Sequence, residues 1–542
     1  SLHNSAPVVR PVFPLQHLSE STSSCRAFLH FINPTSPRRA YRTVLESGAA
    51  AGVVCGADLG VVDANLRLGG AEHLEALAGI ASSAGHAVDP GVTYLFLGLL
   101  ACMIICLALE EKIHAKKSVI VGVFSILALF LGTWFHLLPF EDVSNLLIGG
   151  HKISLPVYIP GVDWEVIAII LGSSLFVDVT SKSGLFTWVA VKLTKLSKGD
   201  PLRLLILYGV MTVVFSAVLN NVTAMIIVGS LTGVSLKKLN RSEKLLGFLL
   251  VEGLLTNIGG LLTLISSVPN IIVGKTAGIE FIDFFIKASP YVVLATVVTI
   301  WMGAKLFKIS SLKSEEERSS AKALVAGFDE NEGIESLGFF RFGAIMTFVF
   351  IATVAMTSQL PVVSDLGLGF VALAFAGIML VRYKAVADRF YKAIDWDLLF
   401  FFVCLFAVIN VMEHAQVLAL IGEWIMPILG LGDSAGPASM MIASAGASSV
   451  TDNIPLAAML AKILGGIPEV AGNPDSPYWW AVIFGANLGG NITPIGSAST
   501  LVSVTIIHKY GLKLSFAGFV KVAMPYALVQ LALGVGYLLL VS

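Results

Sequence analysis

Of the 542 residues 56% are apolar and only 13% charged, with 35 basic and 36 acidic side chains, a net charge of −1 and a mean hydropathy of +0.84. A soluble domain carries about 25% charged residues, so an ordinary soluble domain is excluded, and nothing in the charge balance points to nucleic acid. The five cysteines, Cys25, Cys55, Cys102, Cys106 and Cys404, show neither zinc-finger nor redox spacing.

Residues 1–92 stand apart. The first 45 hold five arginines (Arg10, Arg26, Arg38, Arg39, Arg42), Ser and Pro clusters and a single acid, Glu20. This is the composition of an organellar transit peptide or of a disordered tail, so the expected location is an organellar membrane, a plastid's or another's, or the plasma membrane. From residue 93 onward apolar runs of about 20 residues recur, the length an α-helix needs to cross a bilayer. Spans are predicted near 93–110, 117–137, 164–180, 246–274 and 288–307, and again near 339–357, 359–382, 396–412, 478–507 and 516–541. Cys102 and Cys106 share a face of the first span, as small residues for packing or as a soft-metal pair. A charged connector, 308–338, separates the two sets and reads as a solvated loop.

Two further apolar stretches, 203–236 and 435–466, are interrupted by Leu219-Asn220-Asn221-Val222-Thr223 and by Thr451-Asp452-Asn453-Ile454-Pro455. Each half of such a stretch reads as too short to cross alone, so both are predicted to be re-entrant hairpins. Irregular backbone at membrane depth is tolerated where it lines a cavity or is buried in protein.

The chain repeats itself. Asp163-Trp164-Glu165 recurs as Asp395-Trp396-Asp397, and Asn221 recurs as Asn453, both at an offset of 232 residues (163 to 395, 221 to 453). Asn257-Ile258-Gly259-Gly260 recurs as Asn487-Leu488-Gly489-Gly490, with Thr263 matching Thr493 and Ser267 matching Ser497, at an offset of 230 (257 to 487). Each half, 93–307 and 339–542, therefore holds five spans and a hairpin. Five is odd, so the second half is inverted. Charge agrees under the positive-inside rule. Lys192, Lys195, Lys198, Arg203, Lys237, Lys238, Arg241 and Lys244 flank the first hairpin, whereas Glu413, Glu423, Asp433, Glu469 and Asp475 surround the second, with only Lys462 against them. The predicted fold is an all-α multi-span membrane protein of two inverted repeats, with discontinuous helices at the midplane.

Such transporters bind substrate where broken helices meet. A freed helix N-terminus attracts anions and freed carbonyls hold cations. The candidate substrate or ion site is Asn220, Asn221, Thr223, Asn257, Gly259, Gly260, Thr263, Ser266, Ser267 and Asn270 from the first half. From the second half it takes Thr451, Asp452, Asn453, Asn487, Gly489, Gly490, Asn491, Thr493, Gly496, Ser497 and Ser499. Glycine releases the chain from helical geometry, and the uncharged oxygens suit a dehydrated Na⁺ or an oxyanion. Asp452 is either the carboxylate of a coupling Na⁺ or H⁺ or a cap of the helix that follows. Glu252 is a second carboxylate, either within the membrane or near its inner surface. No Lys or Arg is expected at the hairpin tips.

These motifs, over roughly 93–541, resemble the ion transporter superfamily, specifically its arsenite permease and P protein branch of citrate-transporter-like permeases. Leu219 to Thr223, Glu252 to Asn270 and Thr451 to Pro455 resemble the P protein pattern, and Gly489 to Leu501 is closer to arsenite permeases. Asn220 departs from that pattern, where P-protein-like members carry Asp, and Ser266-Ser267-Val268 stands where they carry Gly-Asp-Pro. The resemblance implies a scaffold and a transport domain in each half, a homodimer in the lipid bilayer and elevator-type alternating access. The function read from the sequence is a secondary transporter without cofactor or resident metal, carrying a small inorganic ion or small anion. It is a cation- or proton-coupled anion permease or a sodium/proton antiporter, with a sodium-coupled di- or tricarboxylate carrier as the alternative. A membrane-embedded enzyme lacks its expected catalytic set.

Overall fold

Aspartates and prolines set many of the helix starts. Asp89, Asp163, Asp200 and Asp395 each accept backbone amides of the first turn that follows, with Pro90 and Pro201 at first helical positions. These are the donors that a helix start leaves open, and proline fits there because it has none to leave. The computed structural model describes residues 88–541, apart from 139–142, 149–150, 154–157 and 393. The transit-peptide reading of the tail, Cys25 and Cys55 lie outside the described residues.

The helices of the first half are α1 Pro90–Ala108, α2 Glu110–Ile113, α3 Lys117–Trp134, α4 Trp164–Ser181, α5 Leu185–Ser197, α6 Pro201–Val218, α7 Asn221–Lys238, α8 Leu245–Gly259, α9 Val268–Ala277 and α10 Phe281–Leu306. After α11 Glu315–Ala326 come α12 Leu337–Ala355, α13 Val363–Val381, α14 Asp388–Tyr391, α15 Trp396–His414, α16 Val417–Leu429, α17 Gly432–Val450, α18 Asn453–Gly465, α19 Pro477–Gly489, α20 Ala498–Lys509 and α21 Phe516–Val541. Between α3 and α4 a small antiparallel hairpin pairs β1 Val143–Ile148 with β2 His151–Ile153, an element the sequence did not signal. Nine of the described helices are long and apolar enough to cross a membrane.

Three expectations need correction. The connector is not a loop throughout: Ser314 caps α11 by accepting the Glu316 amide, and Ala321 and Val325, four residues apart, bury one face of that helix. The halves of the two interrupted stretches are not all too short. The helices α6 and α7 have 18 residues and α17 has 19, and α6 alone meets the length and apolarity of a span. They outrun the apolar run because Asp200 starts α6 before it and the polar end Lys237-Lys238 still belongs to α7. Finally, α5 and α16 were not expected. Each follows a left-handed residue, Gly184 and Gln416, at the same 232 offset (184 to 416).

The helices pack as two groups. A frame forms from α1 on α3, α3 on α15, α12 on α13, α13 on α4, and α4 against α15. A core forms from α6 on α8 and α17 on α19, α9 on α18 and α20 on α7, with α10 and α21 packed against each other. The helices α5 and α16 lead from frame to core by packing on α6 and α17. Each of these contacts within one half has its mate in the other.

Ion pairs gather at two opposite sets of helix ends. At one, Lys192 and Lys195 reach Glu330 at 3.4 and 3.5 Å and Lys238 reaches Glu332 at 3.4 Å, so the connector lies with the flanks of α6 and α7. At the other, Lys275 pairs with Asp163 at 2.7 Å and Glu165 at 2.8 Å, Lys462 with Glu413 at 3.0 Å, and Lys287 with Asp475. We call these the basic and acidic faces.

Candidate functional site

The two interruptions have the same geometry. Leu219 and Asn220 are both extended (φ −102°, ψ 163° and φ −67°, ψ 154°), as are Thr451 and Asp452 (φ −121°, ψ 163° and φ −62°, ψ 136°). Two extended residues separate α6 from α7 and α17 from α18. Asn220 Oδ1 then accepts the Thr223 amide at 2.7 Å and Asp452 Oδ1 the Ile454 amide at 3.1 Å. Asp452 is therefore a helix cap, whatever else it does.

The helix α8 stops at Gly259 and α19 at Gly489, and irregular backbone follows to Ser267 and Ser497 before α9 and α20 begin. Freed carbonyls of the tips are met from these segments. Thr263 donates to the Ala217 carbonyl and Thr493 to the Ser449 carbonyl, each at 2.5 Å. Ser216 donates to the carbonyl of Thr256 at 2.7 Å and Ser448 to that of Ala486 at 2.6 Å. Ser266 donates to the carbonyls of Gly260 and Thr263, and Asn270 Nδ2 to the same two at 2.6 and 3.0 Å.

At the centre the halves interlock. Ser267 donates to Asn487 Oδ1 at 2.8 Å, and its repeat mate Ser497 donates to Asn257 Oδ1 at 3.0 Å. Asn487 Nδ2 donates to Asn270 Oδ1 at 2.9 Å, and Asn257 Nδ2 to Asn491 Oδ1 at 2.9 Å. Asn257 Oδ1 also lies 3.0 Å from Ser499 Oγ and 3.3 Å from Asn221 Nδ2. Three donors converge on one carbonyl oxygen that has two lone pairs, and the 3.0 Å contact of Ser497 with Ser499 gives one hydroxyl hydrogen another place to go. The oxygens of Asn257, Ser497 and Ser499 thus form an uncharged cluster, the donor chemistry of an alkali cation, while Asn221 gives it Nδ2 and its Oδ1 accepts from Ser216 at 2.9 Å. Among the described residues no three His, Cys, Asp or Glu side chains form a metal set.

Not every candidate joins this centre. Asn257, Asn270, Asn487, Asn491, Ser267, Ser497, Ser499 and Asn221 do; Thr263, Ser266 and Thr493 secure backbone around it. Gly259, Gly260, Gly489, Gly490 and Gly496 line it as close-approach positions, Gly260 lying beside Asn221 and Gly496 beside the Ser448 carbonyl. Asn220 and Thr223 form the first tip, and Thr451 bonds back to the Ala447 carbonyl. Asn453 is buried at the start of α18. Asp452 turns elsewhere: its Oδ2 is 2.6 Å from Lys117 Nζ, which corrects the expectation that no cation lies at a tip. Glu252 is fully buried within α8, with Oε1 accepting from Thr232 at 2.6 Å and Oε2 without a hydrogen-bond partner. That places it inside the helix packing rather than at the surface.

Sequence reasoning missed Gln530, which links the centre to α10 by accepting from Asn491 and donating to Thr299, both at 2.9 Å. Its signal was available: it is the one amide in the apolar run of α21. The serines Ser216 and Ser448 were also findable, being 232 apart. Lys117 gave no signal, because a lysine opening a span is ordinary snorkelling.

The CitMHS family profile, described as citrate transporter, matches residues 104–485. An uncharacterized transporter of Mycobacterium tuberculosis is 32% identical over 387 residues, 70% of this chain and 86% of that protein. The human P protein is 24% identical over 517 residues, 80% of this chain and 60% of its own length. An uncharacterized transporter of Synechocystis is 26% identical over 454 residues, 79% of this chain and 93% of that one. Among solved structures, the YdaH transporter of Alcanivorax borkumensis superposes with a TM-score of 0.52 at 15% identity, covering 79% of this chain and 98% of that one, a likeness of fold alone.

Proposed function

Since the chain belongs to the CitMHS citrate transporter family, and is a multi-pass membrane protein with nine apolar helices among its described residues, we propose that it is a secondary active transporter of a small anion. Transport is coupled to Na⁺ or H⁺ and works by alternating access of elevator type. The reciprocal bonding of Ser267 to Asn487 and of Ser497 to Asn257 carries this reading. It brings two broken helices, one from each half, onto one uncharged polar centre buried in the core. Unpaired backbone at membrane depth costs several kcal/mol per group, so breaks are retained there for the ligand they serve.

In this reading the halves are inverted repeats and α6–α7 and α17–α18 are re-entrant hairpins opening to the basic and acidic faces. The paired packing contacts support the repeat, as do the offsets of 230–232 from α4 and α15 through α9 and α20, and the separation of basic from acidic helix ends supports the inversion. Family membership favours a carboxylate such as citrate as the anion. The uncharged amides and hydroxyls of the centre suit its oxygens as donors, and the oxygens of Asn257, Ser497 and Ser499 suit a Na⁺ bound beside it.

The test is uptake of radiolabelled citrate and of inorganic anions into proteoliposomes, under imposed Na⁺ and pH gradients. Accumulation that collapses with the gradient is expected, and flux of every anion indifferent to both gradients would overturn the reading. The buried carboxyl of Glu252 favours a second reading, sodium/proton antiport. That would show in the same vesicles as Na⁺-driven pH change without any anion.

A further inference from the structure

The ion pair of Lys117 with Asp452 joins residues 335 apart in sequence and, more to the point, joins the frame to the core. Lys117 opens α3, a frame helix; Asp452 caps α18, a core helix. The Asp452 side chain keeps 7% of its exposure and Lys117 22%. Glu110 Oε1 lies 3.9 Å from the same ammonium, and the neighbouring Ser118 hydroxyl donates to Asp397 at the start of α15. Lys117 therefore faces the carboxylates of α2 and of the hairpin, with that of α15 close by.

The two partners come from opposite faces. Successive spans alternate in direction, so the start of α3 lies with the end of α4, on the basic face. The flanks of α17–α18 lie at the acidic face, where Lys462 meets Glu413. The tip has thus reached the far end of a frame helix. The other half has no equivalent: the tip residue matching Asp452 is the uncharged Asn220, and the helix matching α3 opens at Val363. In the alternating-access reading, the contact belongs to one end of the movement.

We propose that Lys117 is a tethered stand-in for a coupling Na⁺ held at Asp452, a site apart from the Asn257 cluster, an inference that rests on the alternating-access reading above. A desolvated carboxylate needs a positive partner. With the tip at the basic-face end, the Lys117 ammonium fills that need at Asp452 and expels Na⁺ toward that face. When the core moves away, Asp452 loses the ammonium and takes Na⁺ in its place. Lys117 is a coupling residue and has no contact with the anion.

Two measurements on the full chain test this. In purified protein with Na⁺ as the only probe, Lys117→Met should tighten Na⁺ binding about tenfold, within the range usual for coupled sites. Lys117→Arg should bind as wild type, and Asp452→Asn should lose this binding in either background. Unchanged Na⁺ affinity in Lys117→Met overturns the proposal. In the unmutated protein, saturating Na⁺ should raise amine-reactive labelling of Lys117 several-fold, read by peptide mass spectrometry, whereas choline should not. Labelling indifferent to Na⁺ overturns it equally. Wild-type protein that releases Lys117 with Na⁺ yet drives no anion flux would remove the transport reading and leave this site standing.

Discussion

Replacing Asn257 by alanine would strand Asn221, Asn491, Ser497 and Ser499 together, all of which bond to its amide. Each buried polar group left unsatisfied costs about 1–3 kcal/mol. Asn257→Ala should therefore lower stability by more than that single-group range and abolish flux. Ser499→Ala should cost below about 1.5 kcal/mol, because Ser497 still serves Asn257 Oδ1. Thermal unfolding in detergent separates the two, and equal losses would mean that Asn257 is no hub. The same residues show what was legible. An asparagine in an apolar run is expensive, so Asn257 and Asn487 announced themselves, and the repeat supplied Ser267 and Ser497. What pairing they would adopt was not legible, since the serine of each half bonds to the asparagine of the other. Nor was Lys117, whose role is set by a hairpin 335 residues away.

Among the elements, the broken helices depend on backbone approach. A Cβ on Gly259 would lie 2.7 Å from the Val213 carbonyl oxygen, and one on Gly489 2.3 Å from that of Ala445, whereas one on Gly446 would meet nothing. Backbone does not yield, so Gly259→Ala and Gly489→Ala should fail to accumulate as folded protein and Gly446→Ala should behave as wild type. Size-exclusion profiles of the three in detergent read the difference. The connector offers a second contrast. Its pairs with Lys192, Lys195 and Lys238 are partly exposed, and such pairs contribute about 0–1 kcal/mol. Asp200 is buried, caps α6 through the Arg203 amide and accepts the Leu312 amide at 2.9 Å. Asp200→Asn should loosen the connector to proteolysis; Glu330→Gln should not. Element types followed the apolar runs closely. The helix α11 escaped notice because its buried face is two small residues, and the lengths of α6, α7 and α17 because their ends are polar.

At the scale of the whole molecule the question is whether the core moves as a body against the frame. The two groups were not legible in the sequence, which gives spans and repeats but not which helix packs on which. A pair of cross-links at the acidic face tests the division. Gly465 of α18 and Thr276 of α9 are both in the core, and a Cβ on Gly465 would lie 3.1 Å from Thr276 Cγ2. A γ atom of residue 276 that close to a Cβ at 465 puts two cysteine sulfurs there within reach of a disulfide. Asp163 of α4 and Lys275 of α9 join frame to core through their 2.7 Å ion pair, and a short bifunctional thiol reagent spans the longer side chains. With the native cysteines replaced, the Gly465→Cys, Thr276→Cys bridge should leave anion flux as it was, since it ties together parts that travel together. The Asp163→Cys, Lys275→Cys bridge should stop flux and release it on reduction. The ion pair it replaces is half-exposed and contributes about 1 kcal/mol or less, and the cap that Asp163 gives α4 about 1 kcal/mol more, so the unbridged double mutant is the control and should keep flux per folded molecule. Flux that survives the second bridge, or stops with the first, would mean that α9 and α18 do not move together against α4, and the elevator reading would fall with the grouping.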